Sequence, residues 1–186
     1  MIFYCTKETM ERFHLKTPSE MREPMRSACQ AVVALECEKN IYQWGAKLFY
    51  FDGRKCMQVM HILSGLTVFV IDIKKDDLPL IGNHVAEYVF DIYKGDRKMT
   101  RALEKYYRSS PMVVMDRLQD RSAMASLNST LRFWAEDGDR FYEYIRDGIL
   151  HTLEINRDVN DLPRKAIGFR TPKEVFRKII CEFINE

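Results

Sequence analysis

Residues 44–73 constrain the chain most. Lys47-Leu48-Phe49-Tyr50-Phe51 and Cys56-Met57-Gln58-Val59-Met60 flank Asp52-Gly53, a dipeptide that tolerates the positive φ of a tight turn, so the two runs predict a β-hairpin. Ser64-Gly65 offers a second turn. Leu66-Thr67-Val68-Phe69-Val70-Ile71 then follows and is apolar enough for a central strand buried on both faces. Three antiparallel strands in chain order are expected, and a sheet with apolar faces has to be covered by other elements.

Helices supply that cover. Gly (8) and Pro (6) make up 14 of 186 residues, below the roughly 12% these two average together, which argues against a many-turned all-β chain. Residues 2–6 read as a short first strand with a polar exit at Lys7 and Glu8. Thr17-Pro18-Ser19-Glu20 has the capping-box pattern that starts a helix, and Pro24 either interrupts it or marks a second start before Ala28, Cys29, Val32 and Val33 recur from Met25 at helical spacing. Ile81, Val85, Tyr88, Val89 and Ile92 form one helical stripe, and Met99, Leu103, Tyr106 and Tyr107 a second. Met112-Val113-Val114-Met115 reads as a strand, with a buried connector as the alternative for so short a run. Asp120 is placed to cap a helix bearing Met124, Leu127, Leu131 and Trp134; Gly138-Asp139 breaks it, and Phe141, Ile145 and Ile149 predict the second arm of a helical hairpin. Thr171-Pro172-Lys173-Glu174 opens a last helix whose Val175, Phe176, Ile179, Ile180 and Phe183 dock on the core. The expected architecture is a single α+β domain over residues 1–186, with a small, mainly antiparallel sheet of four or five strands packed against several helices. Trp44, Phe49, Phe51, Val68, Val70, Val85, Val89, Leu127, Leu131, Trp134, Phe176 and Ile180 are expected in its core.

Lys plus Arg is 29 against 27 for Asp plus Glu, so attraction to a polyanion has to come from local clustering. Five cysteines, an odd number without Cys-x-x-Cys spacing, suggest reduced thiols rather than disulfides or a zinc knuckle. No basic leader with an apolar stretch opens the chain and no long apolar window follows, which reads as a cytoplasmic protein without a membrane span.

Two basic clusters stand out. Arg97, Lys98, Arg101, Lys105 and Arg108 face only Glu104 within residues 97–108 and have Tyr106 and Tyr107 beside them, a mixture suited to single-stranded nucleic acid. Arg157, Arg164, Lys165, Arg170, Lys173, Arg177 and Lys178 outnumber Asp158, Asp161 and Glu174. The plainer reading of both is a solvated basic face with the tyrosines packed inward. Arg121 and Ser122, at the start of the helix after Asp120, would hold an anion through free N–H groups and the helix dipole, unless Asp120 or Ser122 simply caps that helix. His84, Glu87 and Asp91 share a helix flank at metal-ligand spacing but fit an ordinary solvated face, so no metal is assigned. His61 in its apolar strand reads as a structural histidine. No motif asks for a cofactor.

Trp44-Gly45-Ala46 and the hairpin through Ile62, two helices, then Asp120-Arg121-Ser122 with Leu127-Asn128, together with Cys5-Thr6-Lys7 at the end of the first strand, resemble a bacterial domain family of unknown function. The resemblance implies a prokaryotic or phage cytoplasmic origin and no activity. Separately, residues 162–176 are similar to the C-terminal tail of insertion-sequence transposases, though no catalytic carboxylate trio maps onto this chain. The functional expectation is a non-enzymatic binding module contacting nucleic acid or a protein partner in a mobile-element or defence context. The alternative is a metal-dependent phosphate-handling hydrolase or nuclease using Asp72, Asp76 or Asp116 with His61 or Arg121.

Overall fold

The computed structural model describes residues 1–37, 40–136 and 140–185. Its centre is the expected hairpin. β2 (Gln43–Phe51) and β3 (Arg54–His61) pair from Trp44↔His61 to Phe51↔Arg54. Asp52 (φ 49°) and Gly53 (φ 73°) both take the positive φ that the two-residue turn demands. β4 (Thr67–Val70) pairs antiparallel with β3 after a turn at Gly65. β1 (Ile2–Cys5) runs parallel to β2 on its other side, and β5 (Val114–Arg117) runs parallel to β1, giving the order β4-β3-β2-β1-β5. The long ladders are antiparallel and the fold is α+β. The parallel step from β1 to β2 needs a crossover, which α1 (Lys7–Phe13) and α2 (Met25–Cys37) provide.

Strand alternation sends two sets of side chains to opposite faces. Phe3, Trp44, Ala46, Leu48, Met57, Val59 and Val68 face α3 (Ile81–Ile92), α4 (Arg97–Ser109) and α8 (Pro172–Asn185), burying Val85, Val89, Leu103, Tyr106, Phe176 and Ile180. There Trp44 Nε1–H donates to Tyr106 Oη (3.0 Å), whose hydroxyl donates to the Ile41 carbonyl (2.8 Å). Phe49, Phe51, Cys56 and Phe69 face Leu131, Trp134, Phe141, Ile155 and Val159. α5 (Arg121–Leu131) lies so close to the sheet that a Cβ on Gly45 would stand 3.0 Å from Leu127 Cδ1. All of the residues expected in the core are buried, each apolar side chain contributing on the order of 1.5–3 kcal/mol.

Four local expectations change. Lys7 and Glu8 open α1 instead of a polar exit, because Thr6 Oγ1 accepts the Thr9 N–H (3.3 Å) and the helix buries Met10 and Phe13. The Thr17 box makes only one 3₁₀ turn, Pro18–Glu20, closed by Thr17 N–H donating to the Glu20 carboxylate (2.8 Å); the long helix starts after Pro24. Third, the helical hairpin does not form. α5 runs on as a π-helical turn, Arg132–Glu136. The expected break at Gly138-Asp139 lies outside the described residues. α6 is only Arg140–Glu143. Asp147 (φ 52°) and Gly148 (φ 75°) then turn a ribbon of β6 (Ile145–Arg146) and β7 (Ile149–Leu150), leaving Ile145 and Ile149 exposed. Finally, α7 (Thr152–Asp161) follows and was not anticipated.

α7 completes the sheet. β4 is an edge strand yet wholly buried, so the backbone groups it turns away from β3 need partners. Asn156 and Asn160 provide them as side-chain surrogates of a peptide. Asn156 Oδ1 accepts Phe69 N–H (2.7 Å) and its Nδ2 donates to Phe69 O (3.0 Å). Asn160 does the same for Thr67 (2.8 and 2.6 Å). The match works because two strand residues rise about 6.8 Å and four helical residues about 6 Å. Among the described residues no helix is long and apolar enough to cross a membrane.

Candidate functional site: a basic helix face and an arginine pocket

α4 is capped by Asp96, whose carboxylate accepts the Met99 N–H (3.0 Å). It buries Met99, Ala102, Leu103 and Tyr106. What remains outside is Arg97, Lys98, Arg101, Lys105 and Arg108, all exposed. At 3.6 residues per turn these five fall in one arc of about 100°, and they extend over about 17 Å along the axis. Among the described residues none of them is in an ion pair. Glu104 lies at the edge of the arc. The tyrosines do not join this surface: Tyr106 is fully enclosed and the Tyr107 hydroxyl is buried, and burial pushes both phenols up. The face therefore offers charge without stacking rings. α8 borders it, with Lys98, Arg177 and Lys178 balanced by Glu174 and Glu182 around a shared hollow.

The second cluster is dispersed by the fold. Arg157 pairs with Asp91 (2.7 Å), Lys173 with Asp161 (3.1 Å), Arg177 with Asp96 (2.7 Å) and Lys178 with Glu182 (3.8 Å). The Arg177 guanidinium and the Met99 N–H together hold Asp96 below the usual carboxylate range. Lys165 and Arg170 are exposed, Arg170 Nε–H donating to Ile167 O (3.2 Å). Arg164 turns inward. Its Nη1 donates to Thr130 Oγ1 (3.1 Å) and its Nη2 to Val159 O (3.2 Å) and Thr67 Oγ1 (3.4 Å). Its backbone is fixed by Arg164 N–H to Arg170 O (3.0 Å) and Phe169 N–H to Arg164 O (2.9 Å). Burial alone lowers its pKa to about 10.

Arg164 lines an open cavity of about 420 Å³ together with Ser129, Thr130, Phe133, Trp134 and Leu162. The two rings stand on the π-helical turn, a departure from α-geometry that often marks functional positions. Arg140 covers Phe133, with Cζ 4.0 Å from the ring centre, and stands 5.8 Å from that of Trp134. A larger groove of about 670 Å³ runs between the end of α1, the start of α3 and β5, with Met21, Met25, Met112 and Met115 in its walls. There Cys29 Sγ lies 3.5 Å from Met21 Sδ.

The other candidates take ordinary places. His61 is fully enclosed between Ser64 Oγ (2.8 Å to Nδ1) and Ile41 O (2.9 Å to Nε2), and burial lowers its pKa to about 4. A neutral ring in the core has no access to a substrate. Asp91 of the His84 trio is engaged by Arg157, while His84 and Glu87 stand 3.8 Å apart on the surface. Asp120 caps α5, accepting Ser122 N–H (2.7 Å) and Ala123 N–H (3.2 Å). That carboxylate occupies the place an anion would take next to Arg121 and Ser122. Asp72 and Asp76 are exposed, and Asp116 is half-buried on β5. Cys5, Cys29 and Cys56 are free and buried, Cys181 is buried, and burial pushes Cys5 up to about 12, away from thiolate chemistry. Among the described residues no three His, Cys, Asp or Glu side chains gather as metal ligands.

Sequence reasoning passed over Asn156, Asn160 and the Arg164 cavity. Two asparagines four apart beside Ile155 and Val159 were a readable signal; the burial of Arg164, which depends on Thr67 and Thr130 far away in sequence, was not.

The chain matches the model of a domain of unknown function, DUF6933, over residues 2–175, and it belongs to that family. The match gives no support to the transposase resemblance of residues 162–176. No curated protein and no solved structure matches the chain.

Proposed function

We propose that this DUF6933 member is a non-enzymatic binding module whose α4 face holds the phosphate backbone of a nucleic acid. The observation that carries this reading is the single exposed arc of Arg97, Lys98, Arg101, Lys105 and Arg108, free of ion pairs among the described residues and backed by a buried inner face of Met99, Ala102, Leu103 and Tyr106. Five side chains carried on a rigid, packed helix require no backbone ordering on meeting a polyanion, and each contact releases counterions. With Tyr106 and Tyr107 turned inward, no ring on this face stacks on bases, and binding is expected to rest on phosphate contacts that carry little sequence information. Lys165 and Arg170 are exposed and extend the cationic surface on another side of the molecule; Arg164 is engaged within the fold. Enclosure of His61 weighs against the hydrolase or nuclease reading that used it as a base. The cellular setting on this reading is the prokaryotic cytoplasm implied by the resemblance.

The test is fluorescence anisotropy with labelled single- and double-stranded DNA and RNA at low salt, comparing wild type with Arg101→Glu/Lys105→Glu. Both positions are exposed, so the variant is expected to fold as wild type while losing about tenfold or more in affinity. Equal affinity in the variant would overturn the assignment of this face.

A further inference from the structure

Arg164 is a half-buried cation without an anion. Among the described residues no carboxylate lies within ion-pair distance of it, and its acceptors are two hydroxyls and a carbonyl. Such a charge is costly to bury unpaired. Three of its five N–H bonds have acceptors; Nε–H and one Nη1–H have none among the described residues. The guanidinium is also held still, by those acceptors and by the backbone bonds to Arg170 and Phe169. A fixed cation with unused donors beside a cavity is preorganised to receive an oxyanion.

The rest of the cavity describes the body of that ligand. Phe133 presents ring surface from the π-helical turn, 46% exposed despite its size, and Trp134, packed into the core beside it at 3% exposure, also lines the cavity. Arg140 over Phe133 adds a second guanidinium at the same wall. A volume of about 420 Å³ lies within the range of small-ligand pockets, which runs from about 300 to 1,000 Å³. Arg164 with no acid among the lining residues favours an oxyanion, and an exposed aromatic wall favours a planar ring. We propose that this pocket binds a nucleoside monophosphate, with the phosphate on Arg164 and the base against Phe133, next to Trp134. The site is independent of the α4 face.

Tryptophan fluorescence reads the pocket directly. Trp134 lines it, whereas Trp44, the other tryptophan, is enclosed on the opposite face of the sheet. The full-length chain is titrated with AMP, GMP, CMP and UMP, and with the parent nucleosides, inorganic phosphate and indole-3-acetate. At least one nucleotide is expected to quench saturably with Kd below about 1 mM, with nucleosides and phosphate at least about tenfold weaker. Arg164→Met is expected to abolish the nucleotide response in a chain that still folds, since it replaces the unpaired guanidinium with an apolar chain of similar length. Should that variant fail to fold, Arg164→Lys keeps the charge but loses the planar fork, and is expected to weaken binding about tenfold. Arg101→Glu/Lys105→Glu is expected to leave the nucleotide titration unchanged, which separates failure here from failure of the nucleic-acid reading. The proposal is overturned if no nucleotide saturates below that limit, if only indole-3-acetate binds, or if a folded Arg164 variant binds like wild type.

Discussion

Asn160→Leu is the sharpest test of how the sheet is closed. Leucine keeps the branched shape of asparagine but removes the acceptor for Thr67 N–H (2.8 Å) and the donor to Thr67 O (2.6 Å). It also removes the Nδ2 bond to Asn156 O (2.8 Å). Thr67 and Asn160 are both fully buried, so no water replaces what is lost. Two stranded backbone groups cost about 1–3 kcal/mol each, partly offset by the apolar leucine, for a net loss of about 3 kcal/mol. For a chain of this size that corresponds to a fall in Tm of about 6–12 °C. Urea unfolding is expected to show a lower midpoint with an unchanged slope. Hydrogen exchange adds a local reading: the Thr67 amide, turned toward α7, should lose protection well before the Val68 amide, which the alternation turns toward β3. A loss below about 1 kcal/mol, or Thr67 and Val68 amides that exchange alike in the variant, would refute the surrogate-peptide account.

Three further outcomes follow from the same structure. His61 has its pKa lowered from 6.5 to about 4 by burial, so the unfolded chain binds a proton there first. Its contribution is complete above about pH 6.5 and lost as pH falls toward 4, by about 3 kcal/mol, and denaturant midpoints of wild type and His61→Gln across that window should converge at the acid end. Gly82→Ala would put a Cβ 2.6 Å from Val113 Cγ2, an overlap expected to cost about 1–3 kcal/mol; adding Val113→Ala should recover most of it in a double-mutant cycle, and no coupling would contradict the contact. Tyr106→Phe removes the acceptor of Trp44 Nε1–H (3.0 Å) in a dry core and is expected to lower stability by about 1–2 kcal/mol in urea melts, with a change in the near-UV signal of Trp44.

The elements that could be read from the chain are those whose signals agree with one another. Asp52-Gly53 sits between two runs of matching length, and both the turn and the register follow from it. The stripe from Ile81 to Ile92 closes at Gly95, whose φ of 95° ends the helix where the sequence pattern stops. Errors arose where two signals competed. Phe141, Ile145 and Ile149 have helical spacing, but Asp147-Gly148 between them is the same turn signature that made the first hairpin, and the turn prevailed. α1 is only seven residues long, too short for periodicity to declare itself. In α7 the buried face carries Asn156 and Asn160 among Ile155 and Val159, so its inward side looks polar and its amphipathic pattern is masked. The basic face of α4 was legible because its charges recur every three or four residues. Arg164, by contrast, was one cation among seven; what sets it apart is a threonine on β4 and another on α5, and no local window contains them.

The central claim is that α4 presents a phosphate-binding face, and the salt dependence of nucleic-acid affinity tests it most directly. Anisotropy titrations of wild type against a duplex of random sequence, from about 20 to 200 mM salt, should give a linear log–log plot with a slope of about −3 to −4, the value for three or four neutralised phosphates. The Arg101→Glu/Lys105→Glu variant should flatten that slope by about two. A wild-type slope near zero, or a steep slope that the variant leaves unchanged, would contradict the account.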